Sequence, residues 1–162
     1  MAIAVGDKLP EGTALRMGAD GPEEVALAPK FAGRKVALFG LPGAYTGTCT
    51  TSHVPSFISA MDALKAKGVE EVICVAVNDP FVMKAWGDST GAEAAGITML
   101  GDASGEFVKA LGLDFTAPPA GLYGRSQRFA LYAEDGVVKV LHVEDNPGVC
   151  TTSGGQALAD AI

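Results

Sequence analysis

The chain has 162 residues, 48% hydrophobic and only 19% charged, enough apolar material for one buried core and too little charge for a disordered segment. A formal net charge of −7 argues against nucleic acid or an anionic membrane as partner. Three cysteines are too few for a secreted disulfide framework. With no C-x-x-C pair, neither a thioredoxin-type redox couple nor a zinc knuckle is available, and no metal is expected.

The first residues carry no basic leader, and no apolar run approaches the roughly 18 residues of a membrane span. The expected compartment is therefore the reducing cytoplasm, where free thiols stay usable. In chain order, residues 10–30 set short apolar stretches between Gly and Pro and predict a small hairpin. Residues 35–41 (Lys35-Val36-Ala37-Leu38-Phe39-Gly40-Leu41) read as a buried strand. A helix is predicted over 49–67, where Val54, Phe57, Ile58, Met61 and Leu64 recur on one face until Gly68. The run 71–77 is apolar and β-branched, a second buried strand that completes a βαβ unit.

Asp79 is the candidate N-cap, and Pro80 the first residue, of a helix reaching about 94 with a break between Gly87 and Gly91. A short strand at 97–100, a short helix at 104–111 and a Pro/Gly-rich loop at 117–121 follow. The runs 127–134 and 137–144 flank Glu134-Asp135-Gly136, a hairpin signal, and a helix over 154–161 closes the chain. This order predicts a single α/β domain over 1–162. Its expected architecture is a thioredoxin-like fold: a central mixed sheet flanked by helices, with an N-terminal hairpin and a βα insertion.

The chemistry concentrates in Pro42-Gly43-Ala44-Tyr45-Thr46-Gly47-Thr48-Cys49, between the first buried strand and its helix. A cysteine at a helix mouth faces unpaired N–H groups and the positive dipole end, a setting that favours the thiolate, its reactive form. The alternative is an inert buried thiol. Thr46 can turn its hydroxyl toward the sulfur or serve as an ordinary cap, and Pro42 leaves a small apolar wall that keeps water away. His53, four residues on, shares a helical face with Cys49 and either tunes it or packs. His142 is expected to be structural, and Trp86 and Phe81 suit a core or a subunit contact better than a cofactor site.

Pro42-x-x-x-Thr46-x-x-Cys49 resembles the active-site motif of the peroxiredoxin family. Pro42 to Thr46, with His53-Val54-Pro55 and Phe57, is similar to its type II branch, the five-like group that includes atypical two-cysteine enzymes. Val77-Asn78-Asp79-Pro80-Phe81-Val82-Met83-Lys84-Ala85-Trp86 resembles a second segment of that branch. A third is Ser126-x-Arg128-Phe129 followed by Asp135-Gly136-Val137-Val138. Gly47 departs from the pattern, which usually has proline there, and loosens the loop ahead of Cys49.

The resemblance implies a thiol-dependent peroxidase for hydrogen peroxide and organic hydroperoxides. Cys49 would attack the terminal peroxide oxygen as a thiolate and become a sulfenic acid. Thr46, the Cys49 amide and one arginine would meet the charge developing on both oxygens. Physical chemistry alone does not choose between Arg125 and Arg128; the family pattern chooses Arg128. Gly43, Thr48 and His53 would line or tune the pocket. No bound cofactor is implied, only an external reductant, glutathione with glutaredoxin or thioredoxin. Asp79-Pro80-Phe81 with the loop 43–48 would form the contact of a homodimer.

Three routes remain for reducing the sulfenic acid. Cys74 follows Cys49 by 25 residues, the spacing of plant-like members for which an internal disulfide is proposed. It lies in a buried strand, so bringing the two Cα atoms within about 7 Å requires the turn at Cys49 to unwind. Pro55 favours that by leaving the carbonyl of residue 51 without its helical donor. Cys150, on a loop before the last helix and near where other members carry a resolving cysteine, is the second route. Direct reduction by glutathione or a glutaredoxin is the third. Two readings of another kind are a peroxide sensor that passes its oxidation to a partner, and a non-catalytic thioredoxin-like module with Cys49 merely buried.

Overall fold

The computed structural model describes residues 1–162. β1 (Thr13–Gly18) and β2 (Gly21–Ala26) pair antiparallel as the predicted hairpin, and the short α1 (Ala28–Phe31) leads into β3 (Lys35–Gly40). A π-helical turn over Cys49–His53 opens onto α2 (Val54–Ala66), followed by β4 (Glu71–Ala76), α3 (Pro80–Thr90), β5 (Ile97–Gly101) and α4 (Glu106–Leu111). β6 (Asp114–Ala117) and β7 (Leu122–Ser126) come next, then the β8 (Phe129–Glu134) and β9 (Val137–Val143) hairpin and α5 (Gly155–Ala161).

Seven strands form one mixed sheet in the order β2-β1-β5-β4-β3-β8-β9, the central mixed sheet expected of a thioredoxin-like fold. β3, β4 and β5 are parallel neighbours, while β8 runs antiparallel to β3 and β9 to β8. Asp135 and Gly136 both take positive φ, 50° and 74°, which is what a two-residue turn of matching twist requires.

Alternation along the strands divides the core in two. Ala37 and Phe39 face one side with Val54, Phe57 and Leu64 of α2, Met83 and Trp86 of α3 and Leu158 of α5. Val36 and Leu38 face the other with Phe31, Phe107 and Leu111. Cys49 and Cys74 both lie on the α2 side, which sets two thiols in one apolar layer.

Three sequence expectations need correction. The helix predicted from Cys49 starts at Gly47 and carries a π turn over 49–53, where the Val54 amide reaches back five residues to the Cys49 carbonyl. Pro55 supplies the reason. It has no N–H and its ring crowds the carbonyl four residues back, so the chain widens and restarts a regular helix with Pro55 in the first turn. The helix predicted to about 94 ends at Thr90, where Gly91 adopts φ 80°. Finally, the loop expected at 117–121 is a 3₁₀ turn joining β6 and β7, a separate two-stranded sheet that sequence reasoning missed. Both strands are short, and no residue of β6 is fully buried, so neither shows an apolar run.

Candidate active site

β3 ends beneath the loop 42–48, and that loop is held from two sides. Arg125 Nη1 donates to the Pro42 carbonyl at 3.0 Å, and the Ala44 amide donates to Asn78 Oδ1 at 2.9 Å. Gly43 leaves room for this clamp, because a Cβ at this position would push Arg125 Nη1 aside. The Thr46 hydroxyl donates to the Gly43 carbonyl at 2.7 Å rather than to the sulfur. Its one proton is committed to that carbonyl, so its lone pairs are left to accept. Thr48 Oγ1 donates to the Gly148 carbonyl at 2.7 Å, joining this loop to the one after β9. At Gly47, a Cβ would meet nothing within 4 Å, so the departure from the family pattern is sterically free.

Cys49 has no exposed surface. Arg128 stands in the two-residue link between β7 and β8, not within a strand, and is itself buried. Its guanidinium is used in three directions: Nη2 donates to Cys49 Sγ at 3.1 Å, Nη1 to His53 Nδ1 at 3.0 Å and Nε to the Pro147 carbonyl at 2.9 Å. The geometry thus separates two arginines that the residues alone left equal. Arg128 serves the sulfur; Arg125 serves the loop.

His53 touches Arg128, not the sulfur. Its Nε2 lies 3.0 Å from the Ser153 carbonyl, an acceptor only, so Nε2 carries the proton and Nδ1 is free to accept from Arg128. Burial, and then the Arg128 charge, push His53 down to about 3, so the ring is neutral around pH 7. Phe39 walls the ring in, 5.0 Å away between centroids, and stacks on Phe57 at 3.9 Å.

A cavity of about 310 Å³ opens beside Arg128, and Cys49 lies behind its lining. Pro42, Thr46, Gly47, Thr48, Arg128, Pro147 and Gly148 line it together with Phe115, Ala117, Ala120 and Leu122. The overlooked β6–β7 sheet is therefore the apolar wall of the site.

All three cysteines are free. Cys74, on β4, is fully buried, and burial followed by the neighbouring Cys49 charge pushes its thiol well above the ordinary range. Cys150 is half-buried in the loop after β9, and burial pushes it up as well. Trp86 is buried and its indole donates to Thr50 Oγ1 at 3.1 Å, while Phe81 is 63% exposed. No group of three His, Cys, Asp or Glu side chains is placed to hold a metal. Arg125's clamp and the carbonyls of Pro147 and Ser153 had no sequence signal, because backbone acceptors leave no trace in residue identity.

The family model described as Redoxin matches residues 4–158. The chain is 47% identical over 164 residues to Peroxiredoxin-2E-2, chloroplastic, of Oryza sativa subsp. japonica, covering 99% of this chain and 72% of that protein. It is 45% identical over 161 residues to Peroxiredoxin-2C of the same plant, covering 99% and 98%. The crystal structure of reduced Prx3 in complex with H2O2 from Vibrio vulnificus aligns with a TM-score of 0.89 at 44% identity, covering 98% of each chain. A lone sulfur under a buried guanidinium on a thioredoxin-like sheet agrees with these matches, and the chain belongs to the peroxiredoxin family, with type II-like relatives, as a thiol-dependent peroxidase.

Proposed function

We propose that Cys49 is the residue that reacts with hydrogen peroxide and organic hydroperoxides, with Arg128 and Thr46 as its catalytic partners and Pro42 as the wall that limits water. The observation that carries this is the 3.1 Å contact from Arg128 Nη2 to Cys49 Sγ, held by acceptors on the guanidinium's other two edges. The guanidinium sets a charged, oriented donor at the reacting atom. The thiolate attacks the terminal oxygen; an S–O bond forms, the O–O bond breaks, and the leaving oxygen takes a proton as water or alcohol. Sulfur gives up two electrons and becomes a sulfenic acid. Thr46, its proton held by Gly43, accepts from the peroxide O–H, while Arg128 donates to the oxygens as charge develops on them. The apolar wall of Phe115, Ala117, Ala120 and Leu122 suits the organic part of a hydroperoxide.

The reductant is an external thiol, glutathione with glutaredoxin or thioredoxin, and no bound cofactor takes part. Cys74's place within β4, with its thiol pushed well above the ordinary range, supports direct reduction at Cys49 over an internal Cys49–Cys74 bond. Cys150 keeps a second route because it is only half-buried. Tyr45 and Phe81, 57% and 63% exposed, support a homodimer contact along the loop 43–48 and the start of α3. Steady-state peroxide consumption in excess thiol tests the reading. Many turnovers per protein are expected, whereas a halt after one equivalent would make the chain a sensor.

A further inference from the structure

Glu144 touches neither the sulfur nor the cavity beside Arg128, yet it is buried just after β9. Its amide donates to the Arg128 carbonyl at 3.0 Å. Its carboxylate accepts from the Thr151 and Ser153 amides, each at 2.8 Å, from Ser153 Oγ at 2.6 Å and from Thr151 Oγ1 at 3.2 Å. One acidic side chain thereby gathers residues 151–153 onto the backbone next to Arg128. The gathered segment turns the Ser153 carbonyl toward His53 Nε2 at 3.0 Å.

The consequence runs through the tautomer. While the Ser153 carbonyl claims the Nε2 proton, Nδ1 must be an acceptor, and it holds Arg128 Nη1 at 3.0 Å. If that carbonyl moved away, the ring could carry its proton on Nδ1 instead and set a donor against a donor. The guanidinium would then lose one of its three anchors. Burial alone would push Glu144 upward, but the hydrogen bonds from Ser153 and Thr151 outweigh it and hold the carboxyl at about 2, so the pin is an anion at any working pH.

We infer that Glu144 is a positioning residue for peroxide reduction, acting through Ser153 and His53 to hold Arg128 in the orientation that presents Nη2 to Cys49. This rests on Arg128 being the donor to the reacting sulfur. The test is a double-mutant cycle on the single-turnover rate with hydrogen peroxide, using Glu144→Ala, Arg128→Ala and the double variant. Glu144→Ala is expected to slow the reaction about tenfold to hundredfold, as a misplaced group does. In the Arg128→Ala background the same change is expected to cost less than about twofold, because residues that act as a unit are not additive.

Ring ¹⁵N spectra of His53 give the second readout: one fixed Nε2–H tautomer in the parent and a tautomer mixture in Glu144→Ala. Should Glu144→Ala not fold, Glu144→Gln carries the same cycle. It keeps an acceptor without the charge, and a loss of about threefold is expected that likewise disappears with Arg128. A loss that persists without Arg128, no loss at all, or an unchanged tautomer overturns the inference. An Arg128→Ala protein as fast as the parent would instead sink the reading of the site itself.

Discussion

Arg128 reaches the Cys49 sulfur at 3.1 Å, and neither side chain has meaningful contact with bulk water. Removing the guanidinium should cost far more in rate than a surface arginine would. Arg128→Ala is expected to slow the peroxide reaction by about 10²–10³, the scale of losing one preorganised donor. Arg128→Lys should recover little of it, because a single ammonium cannot serve Cys49, His53 and Pro147 in three directions. Stopped-flow peroxide consumption checks both, and a change under threefold would move the donor role elsewhere.

His53 makes stability acid-sensitive. Its folded value is about 3 and its ordinary value 6.5, so between these the unfolded chain binds a proton that the folded chain refuses. The stabilisation from keeping the ring neutral is complete above pH 6.5 and is lost as pH falls toward 3. Glu144, held at about 2 against an ordinary 4.5, adds stability above 4.5 that is lost between 4.5 and 2. Urea midpoints should decline from pH 7 to pH 4, and less steeply in His53→Gln. Above pH 4 the peroxidase rate should show no inflection from His53. A flat midpoint over that range would contradict the buried neutral ring.

An apolar cavity wall should favour hydroperoxides with an organic part. Leu122→Glu places a charge among Phe115, Ala117 and Ala120 and should lower the rate with a bulky apolar hydroperoxide by about tenfold, near 1.4 kcal/mol. Hydrogen peroxide has no organic part to seat and should change less than about twofold, well within the 1.4 kcal/mol of a tenfold effect. Competition kinetics with cumene hydroperoxide and hydrogen peroxide measures the ratio directly; equal losses for both would show that this wall does not seat substrate.

Gly43 and Arg125 should behave as one unit. A methyl at Gly43 meets the far end of Arg125, a flexible atom, so Gly43→Ala should cost under about 1 kcal/mol in stability while displacing Nη1 from the Pro42 carbonyl. Gly43→Ala and Arg125→Ala should each slow peroxide reduction about tenfold. Together they should slow it little more than either alone. Additive losses would mean that the clamp is not shared.

Much of this architecture was legible in the residues. The apolar run ending at Leu41, the 3.6-residue spacing from Val54 to Leu64, and Asp79 before Pro80 each have one low-energy interpretation, and the structure bears them out, with the Val82 amide donating to Asp79 at 2.8 Å. Cys49 was legible from its place between a buried strand and a helix, whereas Arg128 was legible only through the family resemblance. The π turn was not, because Pro55 signals a defect without saying how the backbone absorbs it. Nor was the β6–β7 sheet, whose short strands bury too little to show a period. The supports of Arg128 were hidden for another reason: the Pro147 carbonyl holds it directly and the Ser153 carbonyl holds it only through His53, and carbonyls are common to every residue.

The most direct test is residue-resolved mass spectrometry after one equivalent of hydrogen peroxide in the presence of a sulfenic-acid trap, run beside Cys49→Ser. The trap is expected on Cys49 alone, with no peroxide consumption by the Ser variant. A trap carried by Cys74 or Cys150 with Cys49 untouched, or a Ser variant that keeps a tenth of the parent rate, would contradict it.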